Sequence, residues 1–138
     1  MNATGPGILL IEGDYDDANQ MERVLRKYRI ANHVETVADA DEALRALTGG
    51  GAARTELILM NYRLTGKPAM EAVIRIRGLP GLEQVPVIVS CATPEDQNQV
   101  KQWGIKRVAS ISKPAGFFKL LEGIQKLEMH WQVFGSKP

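Results

Sequence analysis

Short apolar runs alternate along the chain with longer segments in which apolar residues recur every three or four positions. Five runs have the length of strands, and they are Gly7 to Glu12, His33 to Ala38, Leu57 to Asn61, Val85 to Cys91 and Val108 to Ile111. Four of them are rich in aliphatic and β-branched residues, as buried strands are, whereas the run from His33 is more polar. The pattern therefore predicts five strands, with the second at an edge of the sheet.

Helices are predicted between the strands from apolar residues that share one helical face. These faces are Ala18, Met21, Leu25 and Tyr28; Ala40, Ala43, Leu44 and Leu47; Met70, Val73 and Ile74; and Phe117, Leu120, Leu121, Ile124 and Leu127. The stretch from Thr93 to Asp96 predicts the start of one more helix, because a capping hydroxyl precedes a first-turn proline and two acids. The triplet Gly49 to Gly51 is predicted to close the second helix.

This regular alternation implies an α/β domain with a mainly parallel sheet and helices on both faces. The length of 138 residues and the hydrophobic content of 44% fit one domain. Functional side chains of such folds gather beyond the carboxyl ends of the strands. The residues predicted to lie there are Glu12, Gly13, Asp14, Asn61, Cys91, Lys113 and Pro114.

Composition and charge narrow the candidate partners. Seventeen basic and sixteen acidic residues leave a net charge of +1 without a basic block, so no nucleic-acid partner is predicted. The apolar runs are too short to span a bilayer, and the first residues lack a signal-peptide pattern, so we expect a soluble, cytoplasmic protein with no membrane partner. The single cysteine, Cys91, excludes an internal disulfide and fits a reducing compartment.

Three stretches together resemble the receiver domain of two-component response regulators, which has the CheY-like fold. They are Ile8 to Asp17, Leu59 to Gly66 and Ser110 to Pro114. The resemblance implies one doubly wound, five-stranded parallel sheet of strand order 2-1-3-4-5 in a three-layer α/β sandwich. It also implies a flexible tail at residues 1–6, a receiver domain at 7–129 and a C-terminal extension at 130–138.

The resemblance also implies a chemistry for the carboxyl edge. In receivers the first strand ends in an acidic pair, the third in the aspartate that accepts a phosphoryl group, the fourth in Thr or Ser, and the fifth in Lys and Pro. The aspartate attacks phosphorus, Mg²⁺ held by carboxylates screens the charge, and the lysine stabilises the phosphoryl oxygens. Glu12 stands at the first acidic position, and Lys113 with Pro114 matches the last motif.

The other positions of this pocket depart from the receiver pattern. Asn61 stands at the acceptor position, Gly13 at the second acidic position and Cys91 at the hydroxyl position, while Ser110 replaces a frequent aromatic switch residue. A carboxamide is neither a competent nucleophile for phosphoryl transfer nor an anionic metal ligand, so we expect no phosphorylation and no bound Mg²⁺.

Two further expectations concern what the pocket residues do instead. Glu12 is predicted to pair with Lys113 across the pocket. The alternatives are that Glu12 is merely solvated, or that Glu12, Asp14 and the backbone carbonyl of Arg63 form a weak metal site. For Asp14, Asp16 and Asp17, stabilisation of a helix start explains the carboxylates without any function.

These features predict an atypical stand-alone receiver, a pseudo-receiver without enzymatic activity. With no effector domain expected after residue 130, its output would be contact with a sensor histidine kinase, another signalling protein or a second copy. A homodimer is expected to use the face formed by the fourth helix, fifth strand and fifth helix. The interface candidates are Trp103, Ser110, Phe118 and Trp131.

Two other functions are open at the level of sequence. The chain is an active phosphoacceptor if Asn61 is an engineered replacement of aspartate, or if another carboxylate such as Asp14 is the nucleophile. A flavodoxin-like binder of small molecules is disfavoured, because the carboxylates between Glu12 and Asp17 would repel a phosphate-bearing cofactor.

A closer resemblance is to single-domain regulators associated with bacterial phytochromes. It is carried by the pair Asp16 and Asp17, the stretch from Ala31 to Leu47, and the ending from Leu127 to Val133.

Overall fold

Five parallel strands form one sheet in the computed structural model, which describes residues 7–27, 33–64 and 66–112. The strands are β1 (Gly7–Ile11), β2 (His33–Val37), β3 (Leu57–Asn61), β4 (Val87–Cys91) and β5 (Val108–Ser112). Their order across the sheet is β2-β1-β3-β4-β5. The predicted α/β class and strand order are confirmed, and β2 lies at an edge as its polar sequence predicts.

Helices cover both faces of this sheet. They are α1 (Tyr15–Lys27), α2 (Ala40–Thr48), α3 (Ala69–Arg77) and α4 (Pro94–Gln102), with a short 3-10 helix at Gly51–Arg54. The α1 side chains Ala18, Met21 and Leu25 pack against one face of the sheet, and buried residues of α2, α3 and α4 pack against the other. The described part of the chain therefore has three layers, and none of its helices is long and apolar enough to cross a membrane.

Several predictions fall on residues outside the described ranges. They are the tail at 1–6, the final helix from Phe117, the interface candidates Phe118 and Trp131, the motif Lys113 and Pro114, and the extension at 130–138.

The predicted apolar face of α3 is wrong in part. Val73 is fully buried, but Met70 and Ile74 are 42% and 54% exposed. The helix instead buries Ala69, Ala72, Val73 and Ile76, which recur at the spacing of one helical face. The two alanines, Val73 and Ile76 therefore form the core face of the helix, and Met70 and Ile74 lie toward solvent.

The boundaries of β4 and α2 follow from local chemistry. β4 begins at Val87 rather than at the predicted Val85, since Pro86 has no N–H to donate to a neighbouring strand. α2 ends at Thr48 as predicted, and Gly50 then adopts a φ of 109°, a conformation that glycine reaches without steric cost.

Arg77 stabilises the opposite edge of the sheet, where the strands begin, by hydrogen bonds to backbone carbonyl groups. Its guanidinium donates hydrogen bonds to the carbonyl oxygens of Leu82, Lys106 and Arg107 at 3.0, 3.0 and 3.1 Å. Burial, and to a lesser degree the charge of Arg107, lowers the pKa of Arg77. The planar, multidentate guanidinium thus joins the end of α3 to the turn before β5.

Candidate functional site

The sheet brings Glu12 and Asn61 together at its carboxyl edge. Ile11 of β1 is paired with Met60 of β3, so the next residue of each strand emerges at the same level. The strand order changes direction between β1 and β3, and ligands of doubly wound folds bind at such a switch point. The sequence-based placement of these two residues at one edge therefore agrees with the structure.

A hydrogen bond joins the two side chains directly. Nδ2 of Asn61 donates to Oε2 of Glu12 at 3.0 Å, and the backbone N–H of Asp14 donates to the same oxygen at 3.0 Å. Glu12 is only 3% exposed. A buried carboxylate requires such donors, so the Asn61 amide stabilises a group that is otherwise costly to bury.

The carbonyl end of the Asn61 amide is also engaged. Its Oδ1 accepts a hydrogen bond from the backbone N–H of Arg63 at 3.1 Å. One end of the amide faces a carboxylate and the other faces an N–H, so the hydrogen-bond network defines its orientation. An aspartate at position 61 would present an acceptor to Glu12 where the amide presents a donor.

The acidic residues that follow β1 serve the start of α1. Oδ1 of Asp14 accepts a hydrogen bond from the backbone N–H of Asp17 at 2.9 Å, and Asp16 and Asp17 lie in the first helical turn. Gly13, Asp14 and Asp16 are exposed. Carboxylates at a helix N-terminus are stabilised by the helix dipole and its free N–H groups, which agrees with the structural interpretation of these acids.

The residues at this edge do not fit a magnesium site. Mg²⁺ binds through carboxylate oxygens in near-octahedral geometry. Here Oε2 of Glu12 accepts two N–H bonds, Oδ1 of Asp14 caps α1, and the neutral Asn61 has both ends of its amide engaged. Within residues 7–27, 33–64 and 66–112, no three His, Cys, Asp or Glu side chains are grouped so as to hold a metal ion.

Cys91 and Ser110 lie on β4 and β5, the two strands beyond β3. Cys91 is fully buried in the core beneath α2, α3 and α4, and its thiol lies 3.7 Å from the carbonyl oxygen of Val89. Ser110 is half-buried in the middle of β5. Cys91 thus occupies the place of a small packing residue in the core. The predicted pair of Glu12 with Lys113 stays a prediction, because Lys113 lies outside the described residues.

Four residues beside the pocket form contacts that the sequence did not predict. Arg63 binds Asp96 with an Nη2 to Oδ1 distance of 3.2 Å, and the Tyr62 ring stacks on Trp103 with 6.2 Å between ring centres. Trp103 was predicted as an interface candidate, and it lies half-buried against the core. A usable signal was present for Arg63 and Asp96, since both follow carboxyl ends of neighbouring strands.

The loop before α3 is tied to α2 by an ion pair. Nζ of Lys67 lies 2.7 Å from Oδ1 of Asp41, in the first turn of α2. The hydrogen bond from Lys67, together with its charge, lowers the pKa of Asp41. Lys67 thus anchors the loop that follows Asn61 on the side away from α4.

Comparisons with known proteins agree on the fold. The bacteriophytochrome response regulator RtBRR superposes with a TM-score of 0.75 at 26% identity, covering 98% of this chain and 85% of that one. The chemotaxis response regulator CheY4 of Vibrio cholerae gives a TM-score of 0.72 at 21% identity, covering 90% and 99% of the two chains. No protein-family model matches the chain.

A sequence relative is a probable methanogenesis regulatory protein, FilR2, of Methanothrix harundinacea. It is 22% identical over 134 residues, which span 95% of this chain and 86% of the relative. Together with the strand order, these similarities show that the chain has the CheY-like fold of response regulator receiver domains. The resemblance identified from the sequence is confirmed.

Proposed function

We propose that this protein is a pseudo-receiver that signals by protein contact and does not accept a phosphoryl group. The observation that carries the proposal is the hydrogen bond from Asn61 Nδ2 to Glu12 Oε2 at 3.0 Å. It places a donor amide where receivers place a nucleophilic carboxylate. It also occupies an oxygen of the acid that would serve a metal ion.

The chemistry of phosphoryl transfer supports this proposal. An acyl phosphate forms when a carboxylate oxygen attacks phosphorus, and a neutral amide oxygen is a far weaker nucleophile. Developing charge on the phosphoryl oxygens also needs a nearby cation, and the side chains at this edge do not fit Mg²⁺. Both requirements are unmet by the described residues of the pocket.

The function of such a domain is binding. Receiver domains interact with sensor histidine kinases and other signalling proteins, and we propose that a protein of this kind is the partner of this chain. Because position 61 carries an amide in place of the acceptor carboxylate, the protein is expected to bind this partner without phosphorylation as a trigger. A reaction of its own is not part of this role.

Acetyl phosphate tests the proposal. The full chain is incubated with acetyl phosphate and millimolar Mg²⁺, and its intact mass is measured beside that of Asn61→Asp treated in the same way. We expect no added phosphoryl group on the unsubstituted protein. A labile gain of one phosphoryl group on that protein would overturn the proposal, whether Asp14 or another carboxylate accepted it.

A further inference from the structure

Two consecutive residues that follow Asn61 contact both ends of α4. Arg63 binds Asp96 in the first turn of the helix, and Tyr62 stacks on Trp103, its C-terminal capping residue, with ring planes 16° apart. The guanidinium carbon of Arg63 lies 5.6 Å from the centre of the Tyr62 ring. These four side chains form a continuous row from Asp96 to Trp103, which we name the α4 clasp.

The Asp96 end of the clasp is the costlier end to open. The Asp96 side chain is 8% exposed, and its Oδ2 has no hydrogen-bond partner among the described residues. A buried carboxylate needs a counter-charge, and Arg63 supplies it from the solvent side with a side chain that is 71% exposed. Loss of the Arg63 side chain while α4 stays docked would leave this charge buried without its counter-charge, which favours movement of Asp96, and α4 with it, toward solvent.

The rest of α4 provides little apolar contact to hold the helix in place. Its buried residues are Asp96 and Val100 alone, whereas α3 buries four apolar side chains. Because burial of apolar surface is the main force that docks a helix on a sheet, a helix with one buried aliphatic residue depends more on its polar contacts. The clasp therefore adds an ion pair and an aromatic stack to the contacts that α4 makes with β4 and β5.

The clasp begins at the acceptor position. The backbone N–H of Arg63 is held by Oδ1 of Asn61 at 3.1 Å, and the backbone N–H of Tyr62 donates to the carbonyl oxygen of Ser90 at 2.9 Å. The direction in which Arg63 leaves the backbone thus depends on the side chain at position 61. A substitution at position 61 is therefore expected to affect α4 through two hydrogen bonds. The first joins Asn61 to the backbone N–H of Arg63, and the second joins the Arg63 side chain to Asp96.

We propose that the α4 clasp is a conformational latch, which holds α4 in one position as long as position 61 carries an acceptor bound to the Arg63 N–H. The polar surface of α4 is then presented in a single arrangement. Loss of the Arg63 side chain, or of the Asn61 amide, frees the helix. The inference concerns how α4 is held and does not depend on whether the pocket accepts phosphate.

Hydrogen–deuterium exchange of the full chain tests the latch. Exchange is followed in peptides that cover α4 and, as an internal reference, α1. We expect Arg63→Gln to raise the exchange rate of α4 amides by roughly tenfold while α1 stays unchanged, since it removes a hydrogen bond to a charged, buried group. Asn61→Ala is expected to act on α4 in the same direction.

The matched control is Arg75→Gln, which makes the same substitution in an ion pair of the same 3.2 Å distance on α3. Its partner Glu71 is 45% exposed, so α4 exchange should stay as in the unsubstituted protein. Unchanged α4 exchange in Arg63→Gln, or an equal rise in α1, would overturn the latch. Unchanged α4 exchange in Asn61→Ala would overturn its link to position 61.

A double substitution separates a pairwise contact from two independent effects. Asp96→Asn removes the charge that Arg63 meets, so Arg63→Gln combined with Asp96→Asn should raise α4 exchange no further than the larger single effect. Multiplicative effects of the two substitutions would contradict the proposed coupling.

Discussion

Nδ2 of Asn61 lies 3.0 Å from Oε2 of Glu12, although 49 positions separate the two residues in the chain. The contact pairs a neutral donor with a carboxylate that is 3% exposed. A buried acid at the end of β1 is therefore stabilised by the side chain at the end of β3. In a receiver with aspartate at that position, the same geometry would bring two carboxylates together.

Asn61→Asp is predicted to destabilise the protein at pH 7 in the absence of divalent cations. The substitution removes a hydrogen bond to a buried charge and places a like charge against Glu12, so we expect a loss of about 2 kcal/mol in the free energy of unfolding. Urea unfolding measures it. Asn98→Asp makes the same change at an exposed position of α4 and should alter stability by no more than about 0.5 kcal/mol. Equal stability of Asn61→Asp and the unsubstituted protein would contradict the role of the amide.

Mg²⁺ is predicted to affect the melting temperatures of the unsubstituted protein and of Asn61→Asp differently. Millimolar Mg²⁺ should leave the melting temperature of the unsubstituted protein unchanged, because one hydrogen-bonded carboxylate does not make a site for a hard cation. In Asn61→Asp the cation would bind between two carboxylates of the folded state and raise the melting temperature. Thermal unfolding with and without Mg²⁺ measures both. A clear rise in the unsubstituted protein would mean that Glu12 and Asp14 still form a metal site.

Lys67→Gln is predicted to raise the pKa of Asp41 toward its ordinary value near 3.8. The hydrogen bond and the charge of Lys67 lower this pKa in the folded protein. Their stabilising effect is thus present above the ordinary pKa and is lost as the pH falls through the lowered value. A carbon-detected NMR titration of the Asp41 carboxyl group measures the shift. Lys101→Gln removes an exposed lysine from α4 and should leave the titration midpoint in place, whereas an unchanged midpoint in Lys67→Gln would refute the pair.

Arg77→Met is predicted to lower the free energy of unfolding by about 2 kcal/mol, because three carbonyl oxygens lose a charged donor. Burial lowers the pKa of Arg77, but an arginine stays protonated at neutral pH. The loss in the free energy of unfolding should therefore be the same from about pH 6 to about pH 8. Denaturant unfolding at several pH values measures it. Arg75→Gln on the same helix is the control and should change the free energy of unfolding by about 0.5 kcal/mol or less. A similarly small effect of Arg77→Met would contradict the stabilising role of its hydrogen bonds.

The sequence predicts the sheet well because its three central strands, β1, β3 and β4, are buried on both faces. A continuous apolar run such as Leu57 to Met60 indicates a strand that is buried on both faces. Because parallel strands end at the same edge of the sheet, Glu12 and Asn61 are then expected to lie side by side. The face of α3 was predicted less well. Hydrophobicity alone favours Met70 and Ile74, whereas the buried face is formed by Ala69, Ala72, Val73 and Ile76, and only the structure shows which side of the helix faces the core.

Contacts between distant side chains were the hardest to predict. The sequence interpretation paired Glu12 with Lys113 and did not consider Asn61 as its partner, since the choice depends on the register between β1 and β3. Asp96 resembled an ordinary first-turn acid of a capped helix. Its place after β4 indicates that Arg63, which follows the neighbouring β3, lies near, but its burial depends on where α4 docks, and no local pattern encodes that position.

Whether the pocket binds a phosphoryl-like group at all can be measured directly by NMR. Beryllofluoride with Mg²⁺ imitates an acyl phosphate on a carboxylate, so it can be added to the ¹⁵N-labelled full chain while the side-chain amide signals of Asn61 and the backbone signals of Glu12 and Gly13 are recorded. We expect these signals to stay unchanged at millimolar concentrations of both reagents. A saturable shift of the Asn61 side-chain signals would contradict this expectation.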